Sequence, residues 1–296
     1  MAVLEKGTKF PAELSKEMFN KVKGKSSLAV LSGQEGVPFN GTDIFTFSFD
    51  NEVALLGESE KKSEGGITVE PVSMKPLKIE YGARVSDEFL YASEEAQIDI
   101  LASFADGFSK KVARGIDIMA MHGVNPRTGV VSALIGTNSF DTAGVVIVPY
   151  TEADPDLNIE QAIGKLDDGD YDATGIAMSK TMKSALAAQK TEDGHKLYPQ
   201  LAWGSNPGNI NGMPVEVNST VSAASSNDKA IVGDFQNAFK WGFAKDIYVE
   251  VIKYGDPDNS GKDLKGYNQV YLRGETYIGW AILDPAAFAI VGKASA

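Results

Sequence analysis

The sequence predicts an α+β chain in which a long β-hairpin and a long helix precede a mixed α/β segment and a closing pair of strands. Three observations carry that reading. In IFTFSFD (44–50), Phe45, Phe47 and Phe49 alternate with Thr46, Ser48 and Asp50, and further on Leu77, Ile79 and Tyr81 alternate with Lys78 and Glu80. A period of two belongs to a strand with one apolar face. From Ser93 to His122 the residues Leu101, Phe104, Phe108, Val112, Ile116 and Met119 recur at spacings of three and four, one stripe along a helix. Strand patterns then return in DIYVEVIKY (246–254) and YNQVYLRGETYIGWAIL (267–283), where Val270 and Leu272 alternate with Tyr271 and Arg273.

Along the chain, the first forty residues are broken by Gly7, Pro11, Gly24, Gly33, Gly36 and Pro38 around one short helical pattern, Ala12–Val22. That segment has too little contiguous apolar surface for a core of its own, so it is expected to lie on something else, a neighbouring subunit included. In the hairpin, the Phe45–Phe49 run is expected to pair with the Leu77–Tyr81 run across the polar, glycine-closed tip GESEKKSEGG (57–66). Two strands alone are marginal in water, so the hairpin is either the edge of a larger sheet or an arm that lies across another subunit.

The long helix starts at Ser93 with Glu94 and Glu95, a capping hydroxyl and acidic residues at the positive end of the helix dipole. At 1.5 Å per residue, about 29 residues span roughly 44 Å. Asp106, Lys110, Lys111 and Asp117 are expected on its polar faces. It ends in GIDIMAMHGVNPRTG (115–129), which reads either as a site built on His122 and Arg127 or as a corner. Gly123 stands where a left-handed cap belongs, and Pro126 where no helix continues. His122 suits the last turn through the helix dipole alone. The corner explains more of the segment, with Arg127-Thr128-Gly129 as a turn into the apolar stretch Val130–Ile135.

Residues 130–232 mix strands at 145–148 and 175–178 with helices at Asn158–Asp167 and Ser179–Gln189, then a tight turn and strand in GNINGMPVEVNSTV (208–221). His195 sits in the longest loop, 190–209, between charged neighbours, and is expected to be solvated. In the later turn DPDNSGKDLKG, Asp256, Asp258, Ser260 and Gly261 have the spacing of a calcium loop. Its twelfth position is Tyr267, where a bidentate glutamate is required, and strands rather than helices flank it, so calcium is set aside.

Composition narrows function further. The 296 residues include 43% hydrophobic and 23% charged, the balance of an ordinary globular protein. No apolar run approaches the roughly 20 residues of a membrane helix. There are no cysteines, which removes disulfides and thiolate sites together. A formal net charge of −12 argues against specific nucleic-acid binding. The basic stretch Lys16–Lys25 reads as a solvated or partner-facing arm. Only two histidines are present, and no GxSxG, HExxH or phosphate-loop pattern accompanies them. No catalytic residue, cofactor or metal ligand is assigned.

The motifs and their order resemble the major capsid proteins of tailed bacteriophages, the HK97-type fold. The resemblance covers nearly the whole chain. It rests on the helix end with Ala113, Arg114, Asp117, Gly123, Pro126 and Gly129, and on the Gly-x-Pro-Val turn of Gly212, Pro214 and Val215. It rests also on the Gly-Asp segment in AIVGDFQNAF (230–239) and on YLRGETYIGWAILDPAAFAIV (271–291), an Arg-x-Glu strand with a Pro-x-Ala-Phe ending. What it implies is an N-terminal arm (1–38), an extension-loop hairpin (39–82), a peripheral domain with the spine helix (83–130 and 236–280) and an axial domain (131–235 and 281–296).

The implied function is a structural shell of hexamers and pentamers forming an icosahedral head around DNA without binding it specifically. Assembly would take place in the host bacterial cytoplasm and the protein would reside in the virion. Phe45, Phe47, Phe49, Lys61 and Lys62 of the hairpin would meet neighbouring subunits. Relatives often carry a cleaved N-terminal scaffolding region; this sequence starts at Met1 and reaches the arm at once, so a separate scaffolding protein, or a shell that assembles without one, is expected, along with a portal, decoration proteins being left open. Some members join a hairpin lysine to a neighbour's asparagine with help from a buried glutamate. Here Lys61 or Lys62, Asn268 and Glu275 would fill those places, the other reading being solvated lysines and an ordinary strand glutamate. Two other functions stay on the table: an encapsulin-type nanocompartment shell, and an enzyme acting through His122 with Arg127 and Asp117.

Overall fold

The structure, a computed structural model, describes residues 12–49, 51–62, 64–224 and 226–292. Residues 1–11 of the expected arm and 293–296 of the expected axial segment lie outside the described residues. In chain order the helices are α1 (Ala12–Lys23), α2 (Ser27–Leu31), α3 (Glu94–His122), α4 (Pro155–Asp167) and α5 (Lys180–Ala188). The strands are β1 (Thr42–Phe49), β2 (Ile67–Met74), β3 (Leu77–Ser86), β4 (Val146–Pro149), β5 (Gly175–Met178), β6 (Asn209–Ile210), β7 (Met213–Val217), β8 (Ala230–Gly233), β9 (Phe239–Ile252), β10 (Gln269–Ile282) and β11 (Phe288–Gly292).

Helix α3 follows its pattern. Ser93 caps it through the Ala96 N–H, and Gly123 ends it in the left-handed region at φ 66°, where a side chain would be strained and would also crowd Ser139. Leu101, Phe108, Val112, Ile116 and Met119 are buried, with Phe104 packed at the margin. The N-terminal part of α3 is amphipathic, whereas Ile116 to Gly123 is buried on every side. Asp117, expected on a polar face, is therefore inside. The turn beyond closes through Gly129 N–H to the Asn125 carbonyl at 2.8 Å, which makes the segment a corner.

The hairpin departs from expectation. Strand β1 pairs with β2, Phe45 opposite Pro71, and the Leu77–Tyr81 run opens β3 instead. The Pro71 nitrogen cannot donate to a ladder, which hides this strand in the sequence; in a two-stranded ribbon every strand is an edge, and proline is tolerated there. Strand β3 joins a three-stranded antiparallel sheet in the order β3-β10-β9. Central β10 is buried along nearly its whole length, so the alternation expected of Val270–Arg273 is lost and Tyr271 is buried as well. Helix α3 lies close over this sheet: a Cβ on Gly274 would come within 2.7 Å of the Phe108 ring. Strand β9 starts at Phe239, earlier than its pattern suggests, and sets Trp241 opposite Trp280.

Helices α1 and α2 bury Met18, Val22, Leu28 and Leu31 in the core that α3 and this sheet share. The described part of the expected arm thus packs on its own chain, against α3, β9, β5 and β7.

The second half of the chain builds a six-stranded mixed sheet, β4-β11-β8-β5-β7-β6, with α4 against β4, β8 and β11. Ala162 and Leu166 from α4, Met182 and Leu186 from α5, and Ile176, Val215, Val232 and Val291 from the strands form its core. Two sequence motifs gain physical reasons here. Asn211 and Gly212 both have positive φ, 53° and 91°, in the two-residue turn between β6 and β7. Gly233 passes directly against the Ala287 carbonyl and the Phe288 ring, leaving no room for a Cβ.

Candidate functional site and assembly surfaces

The ribbon β1–β2 is anchored at its base, where Ile44 and Val72 pack on Val37, Met74 and Ala281. Beyond the base its apolar residues are uncovered. Phe45 and Phe47 are exposed, and so are Ile67 and Val69 on the partner strand. Val53 and Leu55, in the connection between the strands, are 96% and 99% exposed. Lys61 and Lys62 are exposed in the same connection; the Phe49 side chain lies outside the described residues. A single chain leaves these groups largely uncovered, so apolar surface is gathered on one projection. Val130, Val131 and Leu134 after the corner, and Trp203 in the 190–209 loop, are similarly exposed.

Buried polar clusters brace the body. The Asp117 carboxylate accepts from Ser26 Oγ (2.5 Å) and the Leu28 N–H (3.3 Å) on Oδ1, and from the Ser27 N–H (3.0 Å), Thr220 Oγ1 (2.9 Å) and Asn218 Nδ2 (3.3 Å) on Oδ2. Burial pushes its pKa up and the hydrogen bonds from Ser26, Ser27, Thr220 and Leu28 pull it back, with burial prevailing. Asp117 thereby closes the open N-terminal amides of α2 and ties that helix to the middle of the chain.

His122 is also internal. Its Nδ1 lies 2.9 Å from Asp141 and 3.8 Å from Asp228, and its Nε2 lies 2.9 Å from the Thr220 carbonyl. Burial disfavours a charged imidazole there, but Asp141, the Thr220 carbonyl and Asp228 outweigh it and raise the His122 pKa. Arg127 is exposed on the corner turn, and Asp117 is enclosed by its own donors. The three residues named for an enzyme therefore do not converge on one open surface. His195 is exposed on its loop, as expected.

The calcium-like spacing has another explanation. Arg84, on β3, inserts its guanidinium into the loop and donates to Asp256 Oδ1 (2.6 Å), Asp258 Oδ2 (2.9 Å), Ser260 Oγ (2.7 Å) and the Lys262 carbonyl (2.8 Å). The cation that these oxygens surround is a side chain of the same protein.

Glu275, on β10, is buried among Lys78 Nζ (2.8 Å), Tyr248 Oη (2.6 Å) and Arg273 Nε (3.4 Å). Burial pushes its pKa up, but Lys78, Tyr248 and Arg273 together bring it below the ordinary value. Within one chain its lysine partner is Lys78, neither Lys61 nor Lys62. Asn268 is exposed just before β10, with φ 53°. Lys78, Arg84 and the burial of Asp117 are the residues that sequence reasoning missed; each acts through partners far away in the chain.

A family model described as the phage capsid family matches residues 9–292. The chain belongs to the phage capsid family. It is similar to a structure from Mycobacterium phage Ogopogo, at 33% identity and a TM-score of 0.78, over 91% of this chain and 92% of that one. A structure from Gordonia phage Cozz follows at 26% identity and a TM-score of 0.75, over 92% and 87%. The capsid of an empty GTA particle, computed with C5 symmetry, shares the fold at 18% identity and a TM-score of 0.62, over 92% and 90%. No curated protein matches the chain. Family and fold make it a major capsid protein, a structural component of a phage virion, and favour that reading over a nanocompartment shell. Among the described residues, no helix is long and apolar enough to cross a membrane.

Proposed function

We propose that this capsid protein assembles with copies of itself into hexamers and pentamers that close into the head of a tailed phage. The carrying observation is the β1–β2 ribbon, whose exposed Phe45, Phe47, Val53 and Leu55 lack cover within their own chain. Laid over an adjacent subunit, each apolar side chain removed from water contributes about 1.5–3 kcal/mol, repeated at every contact of the shell. In this reading the ribbon is the extension loop. The sheet β3-β10-β9 with α3 is the peripheral domain, and the six-stranded sheet with α4 and α5 is the axial domain, meeting its copies around five- and six-fold axes. Two separate sheets support that division; one face of the six-stranded sheet has a core of its own with α4 and α5, while Ala177, Ile231 and Ile290 from its other face join the core of α3 and the three-stranded sheet.

The shell encloses DNA without gripping it, because a chain of net charge −12 repels phosphate. Scaffolding and a portal take part in assembly in the host cytoplasm. In this reading contacts between subunits are non-covalent, since Glu275 is already paired with Lys78, Tyr248 and Arg273 and its pKa, held below the ordinary carboxylate value, makes it a weak base toward an incoming lysine. Negative-stain electron microscopy with light scattering tests the reading. Closed shells, or five- and six-fold rings, are expected from purified protein alone or with its scaffold. A particle that stays monomeric or dimeric at high concentration with scaffold supplied overturns it.

A further inference from the structure

The cluster at the end of α3 contains a histidine whose ring orientation is decided by a backbone group. The Thr220 carbonyl, 2.9 Å from His122 Nε2, can only accept, so Nε2 carries a proton. The other ring nitrogen, Nδ1, then faces two carboxylates, Asp141 and Asp228, at 2.9 and 3.8 Å. A carbonyl or carboxylate holding one imidazole N–H while the other nitrogen points at acidic groups is the arrangement found around metal-bound histidines. One ligand atom from each of His122, Asp141 and Asp228 can be chosen so that all lie within 4.8 Å of one another. Atoms bound to one ion at about 2.0–2.2 Å stand roughly 3–4.3 Å apart, so small side-chain adjustments bring the three onto a common centre.

We propose that His122, Asp141 and Asp228 form a binding site for a divalent first-row transition-metal ion. Charge supports an ion of that valence. Two ionised carboxylates facing one imidazolium leave a net negative charge in a largely enclosed space, whereas a divalent ion with neutral imidazole leaves none. Imidazole with two carboxylates is a borderline to hard ligand set, which suits zinc, manganese or cobalt. The His122 side chain is 2% exposed and Asp141 is 33% exposed, so the site has a closed back and an open side through which an ion and its waters enter. A second feature preserves the geometry: a Cβ on Gly292 would come within 2.5 Å of Asp228 Oδ1, so glycine in β11 leaves that carboxylate its place. The ion would join three separate segments: the C-terminus of the spine helix, the loop at Asp141 and the approach to β8. It would fasten the helix to the six-stranded sheet. The competing occupants are protons, one on Nδ1 and one shared by the two carboxylates.

The test uses the full chain, stripped with chelator, dialysed against zinc and in parallel against cobalt, then passed over a column that removes loose ions. One metal per chain is expected, with visible absorption for the cobalt form and a rise in the main unfolding temperature of roughly 5 °C at hundredfold saturation. Asp228→Asn and Asp141→Asn should each lower retention at least tenfold, while His195→Ala, altering the exposed histidine, should leave it unchanged. Near-UV circular dichroism establishes that each variant is folded. No metal retained by the wild type, equal retention by folded Asp→Asn variants, or a His122 ring protonated on both nitrogens in zinc by nitrogen NMR would each overturn the site. Whether the chain forms shells is read separately and does not depend on the result.

Discussion

The guanidinium of Arg84 occupies the centre of a loop that Asp258 helps to build 174 residues later, its Nε 2.9 Å from Asp258 Oδ2. A planar fork serves two carboxylates, a hydroxyl and a carbonyl at once, which a compact ammonium cannot do. Arg84 holds the Asp258 carboxyl well below the ordinary carboxylate range. A depressed carboxylate pKa means stability that is present above the unfolded value and lost only as pH falls through the lower folded one. Amide exchange in residues 255–264 should therefore stay protected down to mildly acid pH. Arg84→Ala should release that loop at all pH values, and Arg84→Lys should restore protection only in part. Equal exchange in wild type and Arg84→Ala would show that the loop holds itself.

Asp117→Asn should destabilise the fold despite its near-identical shape. Oδ1 accepts the Leu28 N–H and Oδ2 the Ser27 N–H. An asparagine must turn its NH2 toward one of those fixed donors, leaving it unsatisfied in the interior. A cost of about 3 kcal/mol is expected, measurable by denaturant unfolding of the dissociated protein, with α2 the first element to lose exchange protection. A neutral effect would mean that α2 is held by Leu28 and Leu31 packing alone.

The difference between what was legible and what was not follows the range of the interactions. Helix α3 could be read whole because its stripe, its Ser93 cap and its Gly123 stop all act within a few residues. The corner after His122 was readable for the same reason. The return strand of the hairpin was not: Leu77, Ile79 and Tyr81 alternate more clearly than ITVEPVSM does, yet they pair with β10, almost two hundred positions away in the register Tyr81 to Gly274. Asp117 looked like a surface residue because an aspartate usually is one; its donors at 26–28 and 218–220 are visible only in three dimensions. The Asp256–Asp258 spacing resembles a calcium loop and is set aside because Tyr267 holds the place of the required glutamate; nothing local points to Arg84. The exposed aromatic alternation of Phe45 and Phe47 was legible because it acts within one strand.

Tyr248 and Glu275 offer a spectroscopic prediction. Glu275 accepts the Tyr248 hydroxyl and pushes its pKa up to about 12, and Asp284 does the same for Tyr171, also to about 12. A raised tyrosine pKa gives stability that is fully present below the unfolded value of about 10 and is lost as pH rises through the folded one. Ultraviolet titration of the folded protein should show two tyrosines ionising near 12. In Glu275→Gln only Tyr171 should remain there, Tyr248 returning toward about 10. Glu275 acts in the opposite pH range. Its contribution is present above the ordinary carboxylate value and lost as pH falls through its lower folded pKa. If Glu275→Gln leaves both tyrosines in place, the short contact to Tyr248 is not what holds its proton.

The apolar ribbon makes the prediction that bears most directly on assembly. Val53 and Leu55 are almost fully exposed in the single chain, so replacing both with serine should leave its folding stability within about 0.5 kcal/mol of wild type. If neighbouring subunits cover them, each substitution removes about 1.5–3 kcal/mol from every copy of the contact. A shell repeats that contact many times, so the loss is multiplied and closed particles should give way to free subunits or capsomers in sedimentation and micrographs. Phe45→Ser with Phe47→Ser should act in the same direction. Lys61→Ala with Lys62→Ala should change assembly little, and wild-type shells boiled in detergent should run as a single band at the chain mass of 31.6 kDa. Higher bands on that gel would instead reveal a covalent bond between subunits. Shells formed as readily by the serine variants would move the principal contact to the other exposed apolar residues, Val130, Val131 and Trp203.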